Sequence, residues 1–243
     1  MKEKNNLLIP LAIIATALVI CAVVIGSALK ISKKESQTIT VTGSAKKVII
    51  SDFGILRGSL TASAPTANVA YKELQSQKPQ LLKYLASKGF PQDKVSFFTV
   101  VVIPKYEITA NGMQTSNVVG YTYSQRIEIQ SNDVQKIKDI SLEISSLVQN
   151  GLSFTVETPE YFYSKLAELK VEIQAEAAKD AMIRAQKIAK STDCELGHIT
   201  NAKMGVLQIT PKYSNMVSDM GVNDLSSIEK EITAVVNASF EIK

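Results

Sequence analysis

YTYSQRIEIQSNDVQKIKDISLEISSL, residues Tyr121 to Leu147, decides the fold class, because two periods meet in it. Tyr121, Tyr123, Ile127 and Ile129 alternate with Thr122, Ser124, Arg126 and Glu128, the signature of a strand with one face buried and one wet. After Ser131 and Asn132, either of which is a suitable N-cap, the apolar residues recur three and four apart at Val134, Ile137, Ile140, Ile144 and Leu147, until Asn150-Gly151 stops the helix. A half-buried strand followed at once by an amphipathic helix predicts a sheet layer covered by a helix layer, an α+β fold.

The same reading extends upstream. Ile39 to Ala45 alternates as a strand, and a second strand over about Ser51 to Ala64 places Leu56, Leu60 and Ala62 on one face. These two are expected to pair as a hairpin. Thr66 to Ser87 has helical spacing, with Gly89 as its left-handed stop and a kink or break expected at Pro79. Val95 to Ile103 is almost continuously apolar, which suits a central strand covered on both faces. Turn residues Thr109 to Gly112 join it to the Tyr121 strand as a second hairpin.

Downstream, Leu152, Phe154 and Val156 form a short strand. The longest helix, about Tyr161 to Ser191, carries Ala177, Ala181, Ala185 and Ala189, a ridge of small side chains for close packing. One strand is expected within Gly197 to Thr210, and one from Ile232 to Ile242 with Ile232, Ala234, Val236, Ala238 and Phe240 on a single face. Pro211 to Lys230 has no clear period and is expected to be mobile or occupied by a partner. The whole predicts a two-layer α+β domain, a mostly antiparallel sheet with three helices in the order ββαββαβαββ, over residues 38–243.

Before that domain, Leu7 to Leu29 contains no charge and is flanked by lysines. As a helix it would be about 35 Å long, enough for a hydrocarbon core of about 30 Å. It is expected to be a transmembrane anchor through Leu7, Leu11, Ile14, Leu18, Val23 and Leu29, with residues 1–6 a cytoplasmic leader and 30–37 a linker. A cleaved secretory signal ending near Gly26-Ser27-Ala28 is the rival reading. A lipid-modified Cys21 is rejected because Ile20 precedes it, where a small residue is needed. An apolar segment behind a short basic leader acts as an export signal, which places a single-pass protein in the inner or plasma membrane with its domain on the extracytoplasmic, periplasmic side.

Five of the 27 basic and two of the 23 acidic residues lie before residue 38, so the domain itself is nearly neutral. Without a basic patch, nucleic acid is excluded as a partner. Cys21 and Cys194 are the only cysteines, which leaves no disulfide within the domain.

The chain resembles the SIMPL-domain family of bacterial cell-envelope proteins, which includes periplasmic immunogenic proteins and a protein implicated in oxidative-stress defence. The likeness rests on Ile39 to Gly43, Leu85 to Phe90, Ile103 to Tyr106, Gly120-Tyr121, the helix from Asp133 to Asn150, and Ala185 to Ala189. Ser51-Asp52 departs from the Pro-Asp pair usual in the family. The resemblance implies an exported α+β domain that self-associates, in one relative into a large ring, and it carries over no enzymatic reaction, catalytic residue or cofactor.

Candidate sites are few. Cys194, Glu195 and His198 fall close together, but two or three ligands at a turn do not close a metal site. Cys194 remains a candidate redox thiol, and Met216 and Met220 a candidate partner contact. Tyr106, Tyr121, Tyr123, Tyr161 and Tyr163 are expected mainly as sheet packing. The expected function is a membrane-tethered, homo-oligomeric structural or interaction module of the envelope linked to stress defence, with no particular small-molecule ligand implied. The alternatives are a redox or hydrolytic enzyme with a cleft site, or an adaptor for a signalling partner.

Overall fold

The computed structural model describes residues 14–25 and 37–243. Residues 14–25 form helix α1, exposed throughout. Among the described residues no helix is long and apolar enough to cross a membrane. Of the expected anchor, Ile14, Leu18 and Val23 lie on α1, whereas Leu7, Leu11 and Leu29 lie outside the described residues, as do the leader and all but the last residue of the linker.

The remaining elements are β1 (Thr38–Ile50), β2 (Phe53–Ala64), α2 (Ala67–Ser87), β3 (Val95–Ile108), β4 (Gln114–Ser131), α3 (Val134–Glu143), β5 (Phe154–Val156) and β6 (Glu160–Phe162). They continue with α4 (Leu166–Ser191), β7 (Leu196–Met204), β8 (Gln208–Pro211), β9 (Val222–Asn223) and β10 (Glu229–Ile242). The α+β class holds, but the described residues carry four α-helices rather than three, and two sheets rather than one. One sheet runs β1-β10-β8-β9 with β7 also on β10; the other runs β3-β4-β2-β5 with β6 also on β2.

The chain divides into two units, the larger holding Ser44–Ala178 and Met204–Val236. In it, β2 buries every second residue, including Leu56, Leu60 and Ala62, against α2 and α3. Leu74, Leu81, Leu85, Ile137, Ile140 and Ile144 complete the core. Gln77 is buried among them and clamps two strands, its Nε2 donating to the Thr61 carbonyl at 3.1 Å and its Oε1 accepting from Ser153 N–H at 3.0 Å. The smaller unit takes the described residues up to Gly43 with Lys179–Lys203 and Asn237–Lys243. There Thr40 and Thr42 bond to Ser239 and Asn237 at 2.8 and 2.6 Å, and Glu195 and Lys243 exchange backbone bonds at 2.9 Å. Ala177, Ala181, Ala185 and Ala189 of α4 are buried, as their spacing leads one to expect.

Several local expectations need correction. β1 and β2 do not form a hairpin: they enter different sheets, and the corner between them is held by Ser51 N–H on the Ile228 carbonyl and by the Asp52 carboxylate, which accepts from Ser164 N–H and Oγ–H. α2 ends as expected in a Schellman turn, with Gly89 at φ 85° and Phe90 N–H on the Leu85 carbonyl, but it runs through Pro79 without a break. Pro79 itself is exposed. α3 is capped by Asp133 rather than Ser131 or Asn132. Tyr161 and Phe162, expected as the start of the long helix, belong to β6, and the segment after Pro211 contains β9. Finally, β3 is an edge strand rather than a central one, and most of its residues are exposed.

Candidate functional site

The largest departure from ordinary burial lies on β10. Its inward positions are Ile232, Ala234 and Val236, and the same parity carried two residues back buries Lys230, only 3% exposed. The Lys230 Nζ donates to the Tyr161 carbonyl of β6 at 2.5 Å. Tyr161 is in turn fixed by its N–H on the Leu225 carbonyl, at 2.7 Å, and Asp224 N–H is tied to the Ile209 carbonyl of β8 at 2.9 Å.

These constraints gather β1, β6, β8, β9 and β10 around a cavity of about 120 Å³. Ile49, Leu166, Ile209 and Leu225 supply apolar walls, Tyr161 to Tyr163 the aromatic ones, and Asn223 and Lys230 the polar side chains. Burial pushes the Lys230 ammonium below its ordinary pKa, and the neighbouring Asp224 charge pulls it partly back. Burial acts against the Asp224 carboxylate, but Ser226, Ser227 and Lys230 together hold it below its ordinary value. Its Oδ1 accepts from Ser226 N–H and Oγ–H, while its Oδ2 is buried with no partner among the described residues. A wider, open groove of about 420 Å³ beside Tyr84 and Leu147 offers only the exposed Lys83 as a cation, already solvated there.

The second unusual feature is the β3–β4 hairpin. Its inner part is core, with Ile127 and Ile129 fully covered. Farther out, Phe98, Val101, Val102, Ile103, Ile108, Val118 and Val119 are exposed, and they occupy both faces. The register shifts between Phe97 and Val100, where the Gln125 Nε2 fills the bulge by donating to the Phe98 carbonyl at 2.6 Å. Beyond it β3 leaves one full edge without a strand partner among the described residues.

Sequence-derived candidates fall elsewhere. Cys194 sits in the turn between α4 and β7 with its thiol directed at the Thr192 carbonyl, 3.4 Å away, and His198 is exposed on β7. Among the described residues no cluster of three or more His, Cys, Asp or Glu side chains is placed to hold a metal ion. Met216 and Met220 are exposed in the segment after β8. The five tyrosines do not converge: Tyr161 and Tyr163 line the cavity, Tyr123 packs edge-on against Tyr71, and Tyr106 is exposed on the hairpin. Lys230 was legible only as a charge on the inward parity of an otherwise apolar strand.

Comparison with known proteins gives two matches. The profile of the SIMPL family, described as proteins of unknown function (DUF541), matches residues 39–240. The uncharacterized protein YggE of Edwardsiella ictaluri (strain 93-146) is 19% identical over 181 residues, covering 73% of this chain and 72% of that protein.

Proposed function

The chain belongs to the SIMPL family, and from that premise we propose that it works as a non-enzymatic, self-associating module of the cell envelope, tethered by its N-terminal apolar segment to the membrane with the domain on the extracytoplasmic side. The observation that carries this reading is the β3 edge. Fourteen residues present about 46 Å of strand, with apolar side chains on both faces and hydrogen-bonding groups open along one side. Such an edge is an aggregation hazard in a monomer and a ready surface for pairing with an identical edge. The uncharged run from Leu7 to Leu29 supports the tether through its length and composition. The link to stress defence rests on the family resemblance.

Val102→Lys and Ile103→Glu place charges on opposite faces of that edge, at residues already exposed. Detergent-solubilised wild type should sediment as a discrete oligomer and the double variant as a smaller species of unchanged melting temperature. A wild type that is monomeric at all concentrations would overturn the assembly. Protease cleavage of the domain in sealed cells stripped of their outer layer tests the orientation, and a protected domain would reverse it.

A further inference from the structure

We propose that the cavity between Tyr161, Leu225 and Lys230 is a binding site for a short-chain monocarboxylate, its carboxylate held by the Lys230 ammonium and its hydrocarbon body by the apolar walls.

The polar end is defined by what Lys230 leaves unused. An ammonium has three N–H donors, and the hydrogen bond to the Tyr161 carbonyl uses one. With the residue 97% covered, water cannot freely satisfy the other two, and a buried cation without acceptors is costly. An acceptor entering the cavity relieves that cost, and an anionic acceptor makes the stronger, charge-assisted bond. No carboxylate among the described residues lines the cavity to fill this role from within: Asp224 is not among its walls, its Oδ1 is taken by Ser226, and its Oδ2 makes no hydrogen bond to Lys230 or to any other described group.

Charge and size narrow the ligand further. The Asp224 charge already offsets part of that of Lys230, so the site favours one negative charge and disfavours the two of a phosphate. Ile49, Leu166, Ile209 and Leu225 would desolvate any second polar group without pairing it. A dry cavity of about 150 Å³ holds the six carbons of a benzene ring, so about 120 Å³ accommodates about five non-hydrogen atoms, the carboxylate included. A three-carbon acid such as propanoate fits both ends.

Titration calorimetry of the full chain in detergent with sodium propanoate tests this. The expected result is saturable binding to one site per chain, weakened about tenfold or more when the neutral propanamide is used instead. Lys230→Met should weaken the carboxylate to the level of the amide. Leu225→Trp, which fills the cavity from a half-buried position, should abolish binding of both, and it keeps the test open if the Lys230 variant does not fold. No saturable heat at tens of millimolar overturns the proposal. Equal affinity for acid and amide overturns the role of Lys230, and unchanged affinity in Leu225→Trp overturns the location.

Discussion

Replacing Gly58 by alanine adds a single methyl group, yet the geometry makes it an expensive one. Gly58 lies in β2 opposite Val156 of β5, and a Cβ built there comes within 2.3 Å of Phe154 Cζ and 2.7 Å of the Thr155 carbonyl oxygen. Unbonded carbons prefer about 3.5–4.0 Å, so the overlap with the ring exceeds an ångström. Phe154 is only 6% exposed and cannot swing into water, and the Thr155 oxygen belongs to the backbone of the paired strand. Overpacking of this kind costs about 1–3 kcal/mol, and two simultaneous clashes place Gly58→Ala near the top of that range. The stiffer unfolded chain returns about 0.4–1 kcal/mol, leaving a net loss of about 2 kcal/mol. For a domain of this size that lowers the melting temperature by about 4–8 °C. Thermal unfolding followed by circular dichroism reads it, with two controls. Gly112→Ala, at φ 78° with nothing within 4 Å of the added carbon, measures conformational strain without a clash. Gly58→Ala in a Phe154→Leu background should cost less than it does alone. A shift below 2 °C for Gly58→Ala, or an unchanged cost in the Phe154→Leu background, would refute the role of the ring.

Pro79→Ala restores a backbone donor at an exposed position of α2 and should stabilise the protein by about 2 kcal/mol, the helix-propensity gain of about 3 kcal/mol less what the looser unfolded chain takes back; a denaturant midpoint that does not rise would count against it. Asp133→Ala removes the side chain that accepts from Gln135 and Lys136 N–H and should cost about 1 kcal/mol in the same assay, with Asp133→Asn retaining most of it. Because burial depresses the pKa of Lys230, the unfolded chain holds that proton more tightly. Its contribution to stability should therefore rise with pH from the depressed folded value up to the ordinary 10.5, and Lys230→Met should lack this alkaline increase when unfolding is followed across that window. Parallel pH profiles for the two proteins would contradict the assignment.

What the sequence disclosed was local. The period of Tyr121 to Ile129, the spacing from Val134 to Leu147 and the Gly89 stop each depend on residues within a few positions, and each corresponds to an observed element. Pairing was harder to read. Ile39 to Ala45 reads as half of a hairpin because the strand over about Ser51 to Ala64 follows it closely, but the partner of β1 is β10, nearly two hundred residues away, and no short-range pattern records that. The apolar run of Val95 to Ile103 reports a strand but not its place: it reads as central and covered on both faces, whereas β3 is an edge strand with most residues exposed. Lys230 escaped notice because a lysine beside Glu229 and Glu231 reads as surface until the parity of Ile232 to Phe240 is extended back to it. Sites built from one inward charge and the walls of five strands have no consecutive motif to betray them.

The partnership of β1 with β10 also sets the order in which the molecule can be completed. Thr40 meets Ser239 across 199 positions, so the earliest strand to leave the ribosome must wait for almost the latest. At about 5–20 residues per second that interval is roughly 10–40 s, during which Thr38 to Ile50 has no native edge to occupy. The nascent domain thus carries an open strand while almost all of its own residues are being added, and removing β10 would leave β1 at the domain's start without its pairing edge.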